Sequence, residues 1–230
     1  MTIVRDATPD DAESIGEVHA EAWRIGYNEL FPPALLEAAV DLRRRMWVGL
    51  VGDPALGGTL LVAEEAGEVV GFIHFGPASG NDEIGEVYGL YVHPSSWGTA
   101  RAQALMDRAV ASLAESFTLA VLWTHAEAER ARRFYAKSRW TETGKHRQEN
   151  LWDGMAFPAA NTSEFSCRSE LVTSTRQRYG TCSDILSCLH WTPIIRALVP
   201  SRLAPSSTRT LAATPSPSVN KPRRRCSVPT

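Results

Sequence analysis

The first 155 or so residues of this 230-residue chain predict an α/β (α+β) fold in which helices flank a mixed, partly antiparallel sheet. Three observations carry that prediction. Runs that alternate apolar and polar residues, as half-buried strands do, take turns with runs whose apolar residues recur every three or four positions, as on one face of a helix. Two of the strand-like runs are joined by the tight Ala66-Gly67 connection, which reads as a hairpin and so as an antiparallel pair. Strands and helices are also intermingled along the chain rather than segregated.

A first strand lies around Ile3, and Thr8-Pro9-Asp10-Asp11 then supplies a helix N-cap, a proline suited to a first turn and acids for the positive end of a helix running to about Trp23. Pro32-Pro33 opens a second helical segment in which Leu35, Leu36, Ala39, Leu42, Met46 and Leu50 keep helical spacing, with Arg43-Arg44-Arg45 expected on its other face. Strands over Thr59 to Ala63 and Val69 to Phe75 form the hairpin. The polar loop Ser79-Gly80-Asn81-Asp82 precedes a strand from Gly85 to His93. A helix from about Ala100 to Ser116, a strand over Leu119 to Thr124, a helix over Glu129 to Ser138 and a strand from Trp140 complete the series. Beyond it, Met155 to Phe165 contains Pro158 and little alternation, so a further strand there is expected to be poorly formed or missing.

Composition divides the chain in two. The apolar fraction of 43% and charged fraction of 22% are those of a globular protein, and no run approaches the ~20 apolar residues of a membrane span. The opening residues have no basic start and apolar run of the secretory kind, which points to a cytoplasmic protein. The formal net charge of -2 lacks the basic balance of nucleic-acid-binding domains. That total conceals a net -9 over residues 1–159 and a net +7 over residues 160–230. The later part holds all four cysteines, 21 Ser/Thr and seven prolines, and from Ser201 it has the composition of a disordered segment. We therefore divide the chain into a domain over 1–159 and a basic, largely disordered tail over 160–230. Within the tail, Ile185 to Leu198 is apolar enough for a short helix, although Pro193 interrupts it, and an unstructured stretch is the equal alternative. Cys182 and Cys188 with His190 are spaced too widely for a structural zinc loop, and no metal site is expected. Lys221-Pro222-Arg223-Arg224-Arg225 reads as a solvated basic patch.

The chemically informative run is Val92-His93-Pro94-Ser95-Ser96-Trp97-Gly98-Thr99-Ala100-Arg101-Ala102, a small-residue turn leading from a strand into a long helix. Amides at such a helix start, aided by the helix dipole, hold phosphate or pyrophosphate. The Gly-Lys-Ser/Thr of a Walker loop is absent, and a dinucleotide fingerprint would need more glycines than Gly98. A purely structural strand-to-helix turn is the plain alternative.

Together with Ala131-Arg132-Arg133-Phe134-Tyr135-Ala136-Lys137-Ser138-Arg139-Trp140, the opening Arg5 to Asp11, His19, the Ala22-Trp23 pair and Tyr27, this run resembles the GNAT superfamily of acyl-CoA N-acyltransferases over residues 1 to 155. The resemblance implies a mixed, mostly antiparallel sheet flanked by helices, with a bulged fourth strand. It implies acetyl-CoA as co-substrate, its pyrophosphate on Trp97, Gly98, Thr99, Ala100, Arg101 and Ala102, and its pantetheine arm along Leu90, Tyr91 and Val92. Val87 and Leu90, three apart, are the apolar pair beside the bulge, and Gly89 would permit it. The chain departs from the family pattern at Trp97, Ala100 and Arg101, at Ala128 where Asn is usual, and at Arg139 where Gly is usual; Arg101 is a cation suited to phosphate.

Acyl transfer needs an unprotonated amine, a polarised carbonyl and a proton for the departing thiolate. By resemblance, Tyr135 stands where a tyrosine donates that proton and Glu86 where several members keep a base. The plain alternatives are a core tyrosine and a solvated strand-end carboxylate, and for His93 and His125 surface or hydrogen-bonded histidines. Trp23 and Tyr27, with Trp47, are candidate walls for the acceptor, and the acidic domain would draw a cationic amine. The implied activity is transfer of acetyl to a primary amine of a small molecule or peptide by direct attack in a ternary complex. A non-catalytic acyl-CoA-binding module is the alternative. No nucleic-acid or membrane partner is expected, and a homodimer stays open.

Overall fold

The computed structural model describes residues 2–149 and 160–168. The elements run β1 (Ile3–Asp6), α1 (Ala12–Gly26), α2 (Pro33–Met46), β2 (Thr59–Glu65), β3 (Glu68–Ala78), β4 (Asn81–Val92), α3 (Arg101–Ala114), β5 (Leu119–His125), α4 (Glu129–Lys137), β6 (Thr141–Glu149) and β7 (Ala160–Arg168). One seven-stranded sheet has the order β1-β2-β3-β4-β5-β7-β6, and every neighbouring pair is antiparallel except β4 with β5.

Alternation along the strands feeds two cores. Leu61, Ile73 and Phe75 pack with Leu105, Met106 and Leu113 of α3, while Val62 and Phe72, one residue out of step, face the other side with Ile15, Val18 and the fully buried Trp47. The helices α1 and α2 lie so close that a Cβ at Gly16 would run into the Arg44 carbonyl. The opening motif fastens β1 to the start of α1. Arg5 forks onto Asp11 at 2.7 and 2.9 Å and reaches Glu64 at 2.8 Å, and Asp11 also accepts from the Thr8 N–H and hydroxyl. The hydrogen bonds from Arg5 hold the Asp11 carboxyl down at about 2.

Several expectations are corrected. The strand β4 begins at Asn81, so the expected loop shrinks to a turn at Ser79-Gly80. The helix α2 ends at Met46, short of Leu50. Arg43 is buried, whereas Arg44 and Arg45 remain at the surface, because only the first of the three falls on the stripe shared by Leu36, Ala39 and Val40. The strand expected to be missing is present: β7 lies between β5 and β6, past the compositional boundary at 159/160. An inner strand is held by hydrogen bonds to both neighbours, and its Thr162, Ser163 and Glu164 are buried alongside Phe165 and Cys167. Apolar alternation therefore did not mark it. The 185–198 segment, the Cys182/Cys188/His190 group and the 221–225 patch lie outside the described residues. Among the described residues no helix is long and apolar enough to cross a membrane, and no cluster of His, Cys, Asp and Glu is arranged to hold a metal ion.

Candidate active site

The site opens where β4 and β5 part. Their parallel pairing covers only Gly85–Val87 against Ala120–Leu122, although β4 continues to Val92 and β5 to His125. A bulge prepares the divergence: His74 of β3 faces Gly89 and Phe75 faces Val87, leaving Tyr88 as the extra residue. The bulge sets Val87, Leu90 and Val92 on the α3 side of the sheet and turns Tyr91 toward α1 and α2. Tyr88 is anchored by a 2.5 Å hydrogen bond from its hydroxyl to the Pro77 carbonyl. Glu86 is buried beside the remaining parallel pairing, on the face opposite Val87.

After Val92, a 3-10 turn over Pro94–Ser96 leads through Trp97 to Gly98, whose φ of +76° is the left-handed conformation that glycine adopts without strain. The helix α3 follows, and the first amide to bond back in it is that of Ala104, to the Ala100 carbonyl. The preceding amides have no carbonyl one turn back and form an anion-ready start. The departing side chains are occupied elsewhere. Trp97 donates its indole N–H to the Val92 carbonyl at 2.8 Å, with the Arg130 guanidinium 4.0 Å over its ring. Arg101, the cation that the sequence suggested for phosphate, pairs with Glu65 through two nitrogens, so its charge is balanced within the protein. His93 caps the 3-10 turn, accepting from the Ser95 N–H, which is the plain reading of that histidine.

Across the opening, α4 carries Tyr135, buried against Phe134 and Phe165 with ring centroids 5.6 and 5.7 Å away. Burial pushes its phenol well above the usual tyrosine range, with a smaller contribution from Tyr91. The helix ends in a Schellman motif: Arg139 N–H bonds to Ala136 O at 3.3 Å and Trp140 N–H to Tyr135 O at 3.0 Å. That motif needs a left-handed residue at Arg139, whose φ is +67°, which accounts for the glycine usual there. Ala128 is the N-cap of α4 and has no side chain able to cap it.

Comparison with known proteins agrees with this geometry. Residues 14–139, more than half the chain, match the acetyltransferase (GNAT) family. The chain belongs to the GNAT family. It is 28% identical over 126 residues to the Bacillus subtilis protein named N-acetyltransferase YuaI, covering 54% of this chain and 71% of that one. A Mycobacterium bovis protein named as an N-acetyltransferase is 30% identical over 131 residues, 56% of this chain and 81% of that one. The fold matches the PaiA N-acetyltransferase of Thermoplasma acidophilum, solved with coenzyme A, at a TM-score of 0.54 and 17% identity, over 71% of this chain and 98% of that one. An N-acetyltransferase from Staphylococcus aureus aligns equally well, with TM-score 0.54 and 18% identity over 74% and 99%. As a GNAT protein the chain is an acyl-CoA-dependent N-acyltransferase with acetyl-CoA as co-substrate.

The candidate acceptor residues lie in a cluster of aromatic rings. Trp23 packs on Tyr27 at 4.4 Å and Phe31 at 5.8 Å, and its indole N–H reaches the Tyr91 hydroxyl at 3.3 Å. His125, at the end of β5, meets Tyr27 and Phe31 edge-on, and its Nδ1 accepts from the Glu127 N–H. Trp23 and Tyr27, the candidate walls read from the sequence, pack together, and Phe31 and Arg43, which sequence reasoning did not single out, pack with them. Phe31 follows an apparently irregular stretch, and Arg43 sits in an arginine triplet that reads as solvated. Trp47 lies apart from that group, in the core between α1 and the sheet. It is fully buried, donating to His19 Nδ1 at 3.1 Å.

Proposed function

We propose that this GNAT enzyme transfers an acetyl group from acetyl-CoA to a primary amine of a small molecule or peptide by direct attack within a ternary complex. The observation that supports it most is geometric: β4 and β5 stop pairing after Val87 and Leu122, and the Tyr135 phenol, a group protonated at neutral pH and able to donate, is packed on Phe165 of the neighbouring β7. Acetyl-CoA supplies the activated thioester carbonyl when it is bound. The amides from Gly98 to Ala102 receive its phosphates, the Trp97 N–H being already bonded to the Pro94 carbonyl at 3.1 Å, and the main chain of Leu90, Tyr91 and Val92, freed from β5 by the divergence, pairs with its pantetheine arm. Glu86 takes the amine proton directly or through water, and Trp23 and Tyr27 wall the acceptor. The amine nitrogen bonds to the carbonyl carbon, the carbon–sulfur bond breaks, and Tyr135 gives its hydroxyl proton to the sulfur.

Tyr135→Phe removes only the hydroxyl. Acetyl-CoA affinity, measured by calorimetry, is expected to persist while turnover, measured by free-thiol release, falls about 10² to 10⁴-fold. An unchanged rate would exclude Tyr135 as the acid.

A further inference from the structure

A cation from α4 reaches across to the turn that opens α3. Arg130, the second residue of α4, lies with its guanidinium carbon 4.0 Å from the centroid of the Trp97 ring. The ring is itself fixed, because its indole N–H is held by the Val92 carbonyl and its carbons pack against the core beneath α3. Trp97 is followed directly by Gly98, Thr99 and Ala100, all exposed, and Arg130 is exposed as well, so the guanidinium and the turn are both open to a solute.

The stability of α4 does not account for a cation at that position. The N-terminal end of a helix is its positive end, and an arginine in the first turn stands against the dipole. Ion pairing does not offset this: among the described residues Arg130 has neither an ion pair nor a hydrogen bond, and its contact is with the ring face. Two other guanidiniums near the opening are committed, Arg101 to Glu65, and Arg132 to Glu142 at 2.8 and 2.9 Å and to the Ala126 carbonyl at 2.9 Å. A ring face holds a guanidinium in place but gives none of its N–H donors an oxygen, so the fork stays available. The start of α3 has no anion of its own to meet it, since its first turn carries no acidic side chain and its N-cap, Ala100, has no capping oxygen.

We propose that Arg130 is a phosphate-binding residue of the acetyl-CoA site: held against Trp97, it pairs with a phosphate of the co-substrate whose phosphates the amides of the turn receive. The assignment rests on the placement of those phosphates at the turn, proposed above, and adds a side chain from α4 to it. It also gives Trp97 a task at a position where the chain departs from the family pattern. The indole is a shelf that brings the cation of one helix to the amides of another. A pyrophosphate and a 3′-phosphate present a guanidinium with the same paired oxygens, and either is matched by its fork.

The test is calorimetric titration of the full chain with acetyl-CoA, which needs no turnover and whose stoichiometry reports the folded fraction of each variant. Arg130→Met keeps a long side chain over the ring and loses the charge, whereas Arg130→Lys keeps the charge and loses the fork. Affinity is expected to fall about tenfold or more in Arg130→Met and by less in Arg130→Lys, and the gap between the unaltered protein and Arg130→Met should narrow as salt is raised. Equal affinity of Arg130→Met and the unaltered protein, or Arg130→Lys weaker than Arg130→Met, overturns the proposal, because a residue that merely covers Trp97 would behave in that way. Gly98→Pro, titrated in parallel, separates the two levels of the argument. A loss there with none in Arg130→Met overturns the role of Arg130 alone, and no loss in either removes the phosphates from the turn altogether. Coenzyme A against dephospho-coenzyme A, which lacks the 3′-phosphate, then tells which phosphate is held. A preference for coenzyme A that disappears in Arg130→Met assigns the 3′-phosphate, an equal fall for both ligands assigns the pyrophosphate, and a fall for neither overturns the pairing.

Discussion

The two ends of the cleft are made of different material. At the proposed cofactor end the groups on offer are backbone amides, and the side chains around them are tied away: Trp97 to the Val92 carbonyl, Arg101 to Glu65. At the proposed acceptor end the surface is side chains, several of them buried: Arg43 lies over Trp23, whose indole N–H reaches the Tyr91 hydroxyl, and the Tyr91 ring packs on His19. A site made of main chain survives substitution, which is why departures from the family pattern at Trp97, Ala100 and Arg101 leave the turn intact. A site made of packed side chains fixes both stability and substrate choice, and each change there is felt twice.

The largest expected effect breaks that contrast directly. Trp23→Ala and Trp97→Ala remove the same side chain from the two ends. The first empties a buried site and should cost about 3–5 kcal/mol in urea unfolding, the second about 1–2 kcal/mol, because Trp97 is only partly buried. Equal losses would show that the cofactor end is packed as strictly as the acceptor end.

A pH dependence comes next. Burial lowers the ionisation of His19 and His74, so both are neutral in the folded protein while the unfolded chain takes up protons below about pH 6.5. Their contribution to stability is therefore complete above about pH 6.5 and is lost as pH falls, at up to about 1.4 kcal/mol per unit for each. His19→Gln should remove its share of the slope between pH 6.5 and 5 in unfolding measurements. A further loss belongs to Asp11, depressed from 3.8 to about 2 by Arg5: stability present above about pH 4 disappears as pH approaches 2, and Asp11→Asn should abolish that step. Stability that stays flat from pH 7 to 5 would contradict the neutral, buried state of the two histidines.

At the cofactor end the sharper variant is Gly98→Pro, which removes an amide donor and forces φ from +76° toward -65°. Acetyl-CoA affinity should fall about tenfold or more, by analogy with losing one charge-assisted hydrogen bond. Arg101→Ala should change it less than about threefold, since that guanidinium already serves Glu65. The reverse ranking would mean that side chains, not amides, hold the phosphates.

Much of this was legible in the sequence, and the limits have physical causes. Each helix carried its apolar stripe, and Val87 and Leu90 at a spacing of three announced the bulge that puts both on one face. The hairpin at Ala66-Gly67 was legible because two turn residues with positive φ leave no other connection. By contrast β7 was hidden, because a strand paired on both edges needs no apolar alternation, and Thr162, Ser163 and Glu164 read as solvent-facing. Arg43 was hidden for a similar reason: its burial is decided by Trp23, twenty residues away in sequence, and not by anything in Arg43-Arg44-Arg45 itself. The proposed acceptor walls thus depend on tertiary neighbours, whereas the proposed cofactor turn is contained in one short run.

The smallest expected effect lies between the two ends, on α4. Arg139 holds a left-handed conformation that costs a side-chain-bearing residue roughly 1 kcal/mol relative to glycine, while the motif it completes fixes the end of the helix that presents Tyr135. Arg139→Gly should therefore raise unfolding stability by somewhat less than that, because glycine also gains freedom in the unfolded chain. Ala128→Asn offers the N-cap an acceptor for the first amides of α4 and should add about 0.5–1 kcal/mol. The two positions sit at opposite ends of a nine-residue helix and share no contact, so the gains should add. Thermal unfolding of the single and double variants measures the sum. If both variants stabilise while turnover per folded enzyme stays constant, the departures at Ala128 and Arg139 are matters of helix ends alone; a rise in turnover with the Asn would give that side chain a part in the chemistry as well.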